Sequence, residues 1–256
     1  MKGYLEIVLE NVKLTRDLIK HHFKKIYTDL KNMGVKLFLI RHGQTGGNVR
    51  GQYVGSLDID MTAEGVLQAK AARHYLSKVN FSNIYSSPLK RALNTAKIIA
   101  EGSGHEVRVM NDLREIDFGK WEGLKFDEIN TMYKDDYQGW LEDPYNHPPT
   151  GGESFNDLIA RADKEIKKIV DENPDGSSVA IVSHGGVILS LIVNWLGIPS
   201  GRWRSLIQRQ AAINVIVINN GFPYISSINY TGHLKPVYDD SEDKVIEIYS
   251  KIKRKQ

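Results

Sequence analysis

The chain has 256 residues and no cysteine, with 41% hydrophobic and 25% charged residues and 34 basic side chains against 31 acidic ones. That length can bury a substantial core and that composition excludes wholesale disorder, while the lack of cysteine excludes disulfides, thiolate nucleophiles and thiolate metal ligands. The formal net charge of +3 is spread along the chain, without the clustered basic face that nucleic acid requires.

No apolar run reaches the roughly 20 residues that span a bilayer, and the N-terminus mixes charge into every turn, unlike a signal peptide. A cytoplasmic protein with no membrane or nucleic-acid partner is expected. From Leu14 onward, Leu18, Ile19, Phe23, Ile26, Tyr27 and Leu30 recur at helical spacing, with Thr15 and Gly34 as candidate caps. Residues 1–34 therefore read as a mainly helical extension. Its apolar stripe must be buried against the rest of the chain or against a second copy, so a homodimer is one of two outcomes.

Residues 35–256 read as one domain in which strands alternate with helices. "VKLFLI" is a continuous apolar run, the pattern of a strand buried on both faces. Thr62 can cap a helix through Val79, and "NIYSS" is a short strand. Pro88 opens the next helix, which closes at Gly102. "VRVMNDL" predicts a strand, and Ser154 begins a long helix that ends at a glycine-containing turn. "SVAIVS" is a second buried strand, followed by an apolar helix from Gly186 and two late strands, "INVIVINN" and "YISSINY". Such alternation predicts a three-layer α/β/α domain around a largely parallel sheet. The stretch 121–149 is dense in aromatics and reads as an insertion covering one end of the sheet like a lid. Residues 239–256 read as a charged helix.

Two strands end alike, one in Arg41-His42-Gly43 and the other in Ser183-His184-Gly185-Gly186. Ligands of open parallel sheets bind beyond the carboxyl ends of the strands, so the two histidines are candidates to face each other. The glycines permit close backbone approach, and the second pair starts a helix whose free N–H groups favour an anion. Arg91 lies one turn into the helix after a third strand end. Two arginines, two histidines and a helix start make an oxyanion pocket suited to a phosphate. A neutral imidazole there is a competent nucleophile at phosphorus, and neighbouring arginines lower its pKa. A carboxylic acid among aromatics can protonate the leaving alcohol, and Glu115, near Phe118 and Trp121, is placed for that role. Arg91 pairing with Glu101 at the surface is the alternative for that residue, and Asp117 and Glu122 are the alternatives to Glu115. Arg73-His74 and His21-His22 lie within helices and read as structural.

"LIRHGQTGGN", "SSPLKRALNTA", "LREIDFGKWEG", "GGESF" and "VSHGG", in that order, resemble the histidine phosphatase superfamily, with the phosphoglycerate-mutase-like fold. The resemblance covers residues 36 to about 232. It implies His42 as the phosphorylated nucleophile, Arg41, Arg91 and His184 as holders of the phosphoryl oxygens, Asn48 as a further phosphate contact and Glu115 as general acid and base. It implies no metal and no cofactor, because arginines and histidines neutralise the charge. Gln44 and "DIDMTAEG" depart mildly from the family pattern, away from these positions. The acid motif resembles the phosphatase branch, and "FGKWEG", "PTGGESF" and the region after Arg209 look most like the α-ribazole phosphatases. A small-molecule phosphomonoester is the implied partner. A phosphoglycerate mutase and a phosphate-binding protein without turnover are the alternatives.

Overall fold

A computed structural model describes residues 34–234; the expected N-terminal helix and the charged helix at 239–256 lie outside the described residues. The sheet begins with β1 (Val35–Arg41). Its side chains alternate, Leu37 and Leu39 entering one core and Phe38 and Ile40 the other, and all four are buried. A strand covered on both faces must be apolar throughout, which is why this run carries no polar alternation. β4 (Ser178–Ser183) repeats the arrangement, with Val179 and Ile181 on one face and Ala180 and Val182 on the other.

After β1 come a short helix α1 (Gly46–Arg50), α2 (Ala63–Leu76), β2 (Asn83–Ser86), α3 (Lys90–Ala100) and β3 (Val107–Val109). The Thr62 side chain caps α2 by accepting the Gly65 N–H at 3.1 Å. Leu89 caps α3, so Pro88 lies just outside the helix rather than in its first turn. β3 is shorter than its sequence suggests: after Val109 the chain turns into a 3₁₀ segment at Asn111–Leu113 and buries Leu113 in the core. Helices α4 (Phe126–Met132) and α5 (Lys134–Glu142) then precede α6 (Phe155–Asp171). A reciprocal cap between Ser154 and Asp157 starts α6. β4, α7 (Gly185–Trp195), β5 (Ile213–Asn219) and β6 (Phe222–Tyr230) complete the domain.

The six strands lie in the order β3-β2-β4-β1-β5-β6. β1, β2, β3 and β4 run parallel, whereas β5 and β6 pair antiparallel. One core, containing Leu158, Ile166, Val187 and Leu191, covers one face; Ala72, Leu76, Ala92 and Ile99 cover the other. The result is the expected three-layer α/β/α domain, with the helix-linked strands parallel and the hairpin at the edge antiparallel.

Topology places the site. β1 and β4 are parallel neighbours with Arg41 opposite Ser183, so the next residue of each, His42 and His184, emerges at the same edge. The turn after β1 is pressed against the first turn of α2. A Cβ on Gly43 would stand 2.3 Å from the Gly65 carbonyl oxygen, and one on Gly65 would stand 2.2 Å from the Gln44 carbonyl oxygen. The nearest atoms on both sides are backbone, which cannot yield as the neighbouring Met61 side chain can. Gly65→Ala is expected to cost about 1–3 kcal/mol, read as a lower urea midpoint at unchanged m-value. An unchanged midpoint would show that the two segments separate freely.

Candidate active site

His42 follows the last residue of β1 and is 3% exposed. Its Nδ1 lies 2.7 Å from the Gly43 carbonyl oxygen. A carbonyl oxygen only accepts, so Nδ1 carries the proton and Nε2 keeps the lone pair. Burial, then the charges of Arg91 and Arg41, hold the His42 pKa well below 6.5. Burial outranks the arginines as the cause. The His184 ring lies beside it, with centroids 5.2 Å apart and planes at 59°. His184 is fully buried, and its pKa is likewise pushed well down, chiefly by burial and then by Arg91.

Arg91, on α3, is buried rather than at the surface. It donates from Nη1 to the Leu57 carbonyl at 2.8 Å and from Nη2 to the Gly55 carbonyl at 2.7 Å. Glu101, its alternative partner, pairs instead with Arg73 at 2.6 Å. Arg41 donates to the Gln208 carbonyl and packs under Gly185, where a Cβ would lie 3.2 Å from its guanidinium carbon. Asn48 accepts from the Thr45 N–H and hydroxyl, both at 3.0 Å. Its amide NH₂ is what remains to offer a ligand in the cavity it lines.

Glu115 lies past the 3₁₀ segment that follows β3 and is 8% exposed. Its Oε1 accepts the Ile116 N–H at 3.0 Å and its Oε2 accepts the Gly186 N–H at 3.1 Å. The helix start expected to hold an anion thus holds this carboxylate. A Cβ at position 186 would stand 2.4 Å from Glu115 Oε1, so the second glycine is what admits the carboxylate.

Arg41, Asn48 and Glu115 line a cavity of about 300 Å³, whose lining does not include the buried His42, Arg91 and His184. Tyr53, Phe118, Trp140, Phe155 and Trp203 contribute its aromatic wall, and among the described residues Arg41 and Glu115 are its formally charged lining. The aromatics of 121–149 divide: Trp140 lines the cavity, while Trp121 and Tyr137 are fully buried behind it. Among the described residues, no group of three or more His, Asp or Glu is placed to hold a metal ion, and no helix is long and apolar enough to cross a membrane.

Residues 37–231 match the family model described as histidine phosphatase superfamily (branch 1). The chain belongs to the histidine phosphatase superfamily. Phosphoserine phosphatase 1 of Hydrogenobacter thermophilus is 33% identical over 211 residues, covering 82% of this chain and all of that one. The adenosylcobalamin/alpha-ribazole phosphatase of Salmonella typhimurium is 31% identical over 202 residues, covering 79% of this chain and all of that one. Among solved structures, a mycobacterial glucosyl-3-phosphoglycerate phosphatase in complex with VO₃ aligns with a TM-score of 0.71 at 32% identity, over 77% of this chain and 99% of that one. The relatives are phosphatases, and this histidine phosphatase is a phosphoric monoester hydrolase.

Around the site stand Glu122, which the sequence offered as an alternative to Glu115, and two residues to which the sequence gave no role, Glu153 and Arg161. Glu122 accepts the N–H groups of Gly55, Ser56 and Leu57 at 2.8–3.4 Å, fixing the loop whose carbonyls hold Arg91. Arg161 pairs with Glu153 at 2.6 Å and donates to the carbonyls of Asp112, Arg114 and Glu115. It thereby pins the backbone that presents the Glu115 carboxylate. Both glutamates lie inside quoted motifs, "FGKWEG" and "GGESF", which was the available signal.

The histidines make stability depend on pH. Each is held neutral in the folded protein, so below the unfolded value of 6.5 the unfolded chain binds more protons and folding weakens as pH falls. The melting temperature is expected to drop between pH 6.5 and about 5.5, before carboxylates titrate, with a shallower slope in His42→Asn. Equal slopes in both proteins would contradict the low pKa of His42.

Proposed function

We propose that the enzyme hydrolyses a small phosphomonoester through a phosphohistidine on His42. The lone pair of Nε2 attacks phosphorus as the P–O bond to the alcohol breaks, and the departing oxygen takes a proton from the Glu115 carboxylic acid. Water then attacks phosphorus and gives its proton to the Glu115 carboxylate, while the P–N electron pair returns to Nε2. Arg41, Arg91, His184 and the Asn48 amide bind the phosphoryl oxygens through the transfer. The observation that carries this reading is the neutral, buried His42 with its proton committed to the Gly43 carbonyl, beside two guanidinium groups.

For the alcohol, the cavity favours a ring-bearing, uncharged group. Its wall is aromatic, and among the described residues Arg41, which the phosphate requires, is the cation that lines it. Among the described lining residues, none offers a second cation to the carboxylate of phosphoserine or 3-phosphoglycerate. The reading is therefore an α-ribazole 5'-phosphate-type phosphatase, with a phosphoserine phosphatase as the second reading on the strength of the Hydrogenobacter relative. A mutase has less support, because the acid motif is of the phosphatase type and the relatives are phosphatases.

A panel of phosphomonoesters ranked by kcat/KM tests the substrate: α-ribazole 5'-phosphate is expected to lead phosphoserine and 3-phosphoglycerate, and phosphoserine in first place would overturn the reading. With 3-phosphoglycerate and 2,3-bisphosphoglycerate together, phosphate release should outpace isomerisation. His42→Ala is expected to abolish both turnover and an acid-labile phosphoenzyme; survival of either removes His42 from the nucleophile's place. Glu115→Gln should slow alkyl phosphates by roughly 10²–10⁴-fold but nitrophenyl phosphate far less, since nitrophenolate leaves without a proton. Equal losses would exclude Glu115 as the acid.

A further inference from the structure

The Ser87 hydroxyl is wholly buried at the carboxyl end of β2, next to His184 at the end of β4. We propose that Ser87 is a positioning residue that holds His184 with its proton on Nδ1, so that the ring meets the phosphoryl group as a hydrogen-bond donor. The assignment rests on the reading of His184 as a phosphoryl ligand.

The hydrogen bonds decide between the two tautomers. Ser87 Oγ lies 2.7 Å from His184 Nε2 and also accepts the Leu89 N–H at 3.3 Å. His184 Nδ1 is buried and has no partner. Suppose first that Nε2 carries the proton and donates it to Ser87. The hydroxyl hydrogen of Ser87 then has no acceptor among the described residues, and Nδ1 is a buried lone pair with nothing to bind. Two groups are left unsatisfied, and the lone pair would repel phosphoryl oxygens. In the other tautomer Ser87 donates to Nε2, Leu89 donates to Ser87, and only the Nδ1–H is left over. A buried donor without a partner, in a site built for an oxyanion, is satisfied when the anion arrives.

The tautomer matters because the ring is neutral. Burial and the nearby guanidinium groups suppress the second proton, so His184 has one N–H to place. The backbone fixes His42, through the Gly43 carbonyl; only a side chain fixes His184. The geometry of Ser87 is set in turn by its own N–H, which donates to the Val182 carbonyl at 3.0 Å and ties the end of β2 to β4.

The test is ¹⁵N NMR of the ligand-free protein labelled at histidine, with the His184 signals assigned by difference from His184→Asn. Nδ1 is expected to be pyrrole-type and Nε2 pyridine-type; the reverse pattern overturns the proposal whatever the variants do. Ser87→Ala should mix or reverse the pattern and lower kcat/KM about 10–100-fold, while Ser87→Thr, which keeps the hydroxyl, should retain it. An alanine variant with the wild-type pattern overturns the role of Ser87, and if that variant does not fold, the wild-type and threonine spectra decide. Inorganic phosphate should shift the Nδ1–H of His184. A shift at His42 without one at His184 overturns the donor role, and no shift at either overturns the phosphoryl-site reading and the donor role with it.

Discussion

A guanidinium that is 1% exposed must find acceptors inside the protein, because an unpaired buried charge costs several kcal/mol. Arg91 finds them in the carbonyls of Gly55 and Leu57. Those bonds are neutral on the acceptor side, so they satisfy the donors without cancelling the charge. The positive field therefore survives at buried side chains, where it acts on both histidines. Burial and this field together keep the imidazoles unprotonated. A neutral imidazole with a free lone pair and a cationic surrounding thus follow from one arrangement. A carboxylate paired directly to Arg91 would have weakened both.

The carboxylates stand one layer further out. Glu122 does not bond to Arg91 itself; it gathers the N–H groups of the loop whose carbonyls face the guanidinium. Charge compensation thereby passes through peptide dipoles, with the negative charge held away from the guanidinium. Arg161 and Glu153 do the corresponding work for Glu115. Arg161 of this half-buried pair also donates to the backbone carbonyls of Asp112, Arg114 and Glu115, so the segment carrying Glu115 is held at several points before its side chain is positioned. Rigid mounting suits the proposed role of Glu115, since an acid must meet the leaving oxygen at hydrogen-bond distance.

The parts legible in the sequence are those whose chemistry is local. Continuous apolar runs ending in Arg-His-Gly and Ser-His-Gly-Gly mark buried strands and the residues they deliver, and β1 and β4 lie side by side as those endings suggest. Arg91 was legible only through its helical phase; its burial depends on the loop at 54–57, brought to it from 34 or more residues away. Glu122 and Arg161 act on backbone atoms, so no pairing of opposite charges along the chain points to their roles. β3 ends early because Leu113 turns inward to the core, a tertiary demand that its strand-like composition does not express. The antiparallel β5 likewise depends on which side of β1 remains open once β4 has taken the other.

The aromatic segment shows why packing and specificity are not competing readings. Trp121 and Tyr137 are fully buried and pack edge-on, with ring centroids 5.4 Å apart. Trp140 stacks on Tyr137 from one side and meets Trp203 and Phe155 on the other. The cavity wall is therefore the outer layer of a small aromatic core, and its shape is set by residues that never reach a ligand. The histidine and arginine end of the site is held by hydrogen-bonded backbone; the cavity end is held by interlocked rings. Under the proposed reading, substitutions behind the wall move specificity while the phosphoryl chemistry is left in place, because the two ends are held by different forces.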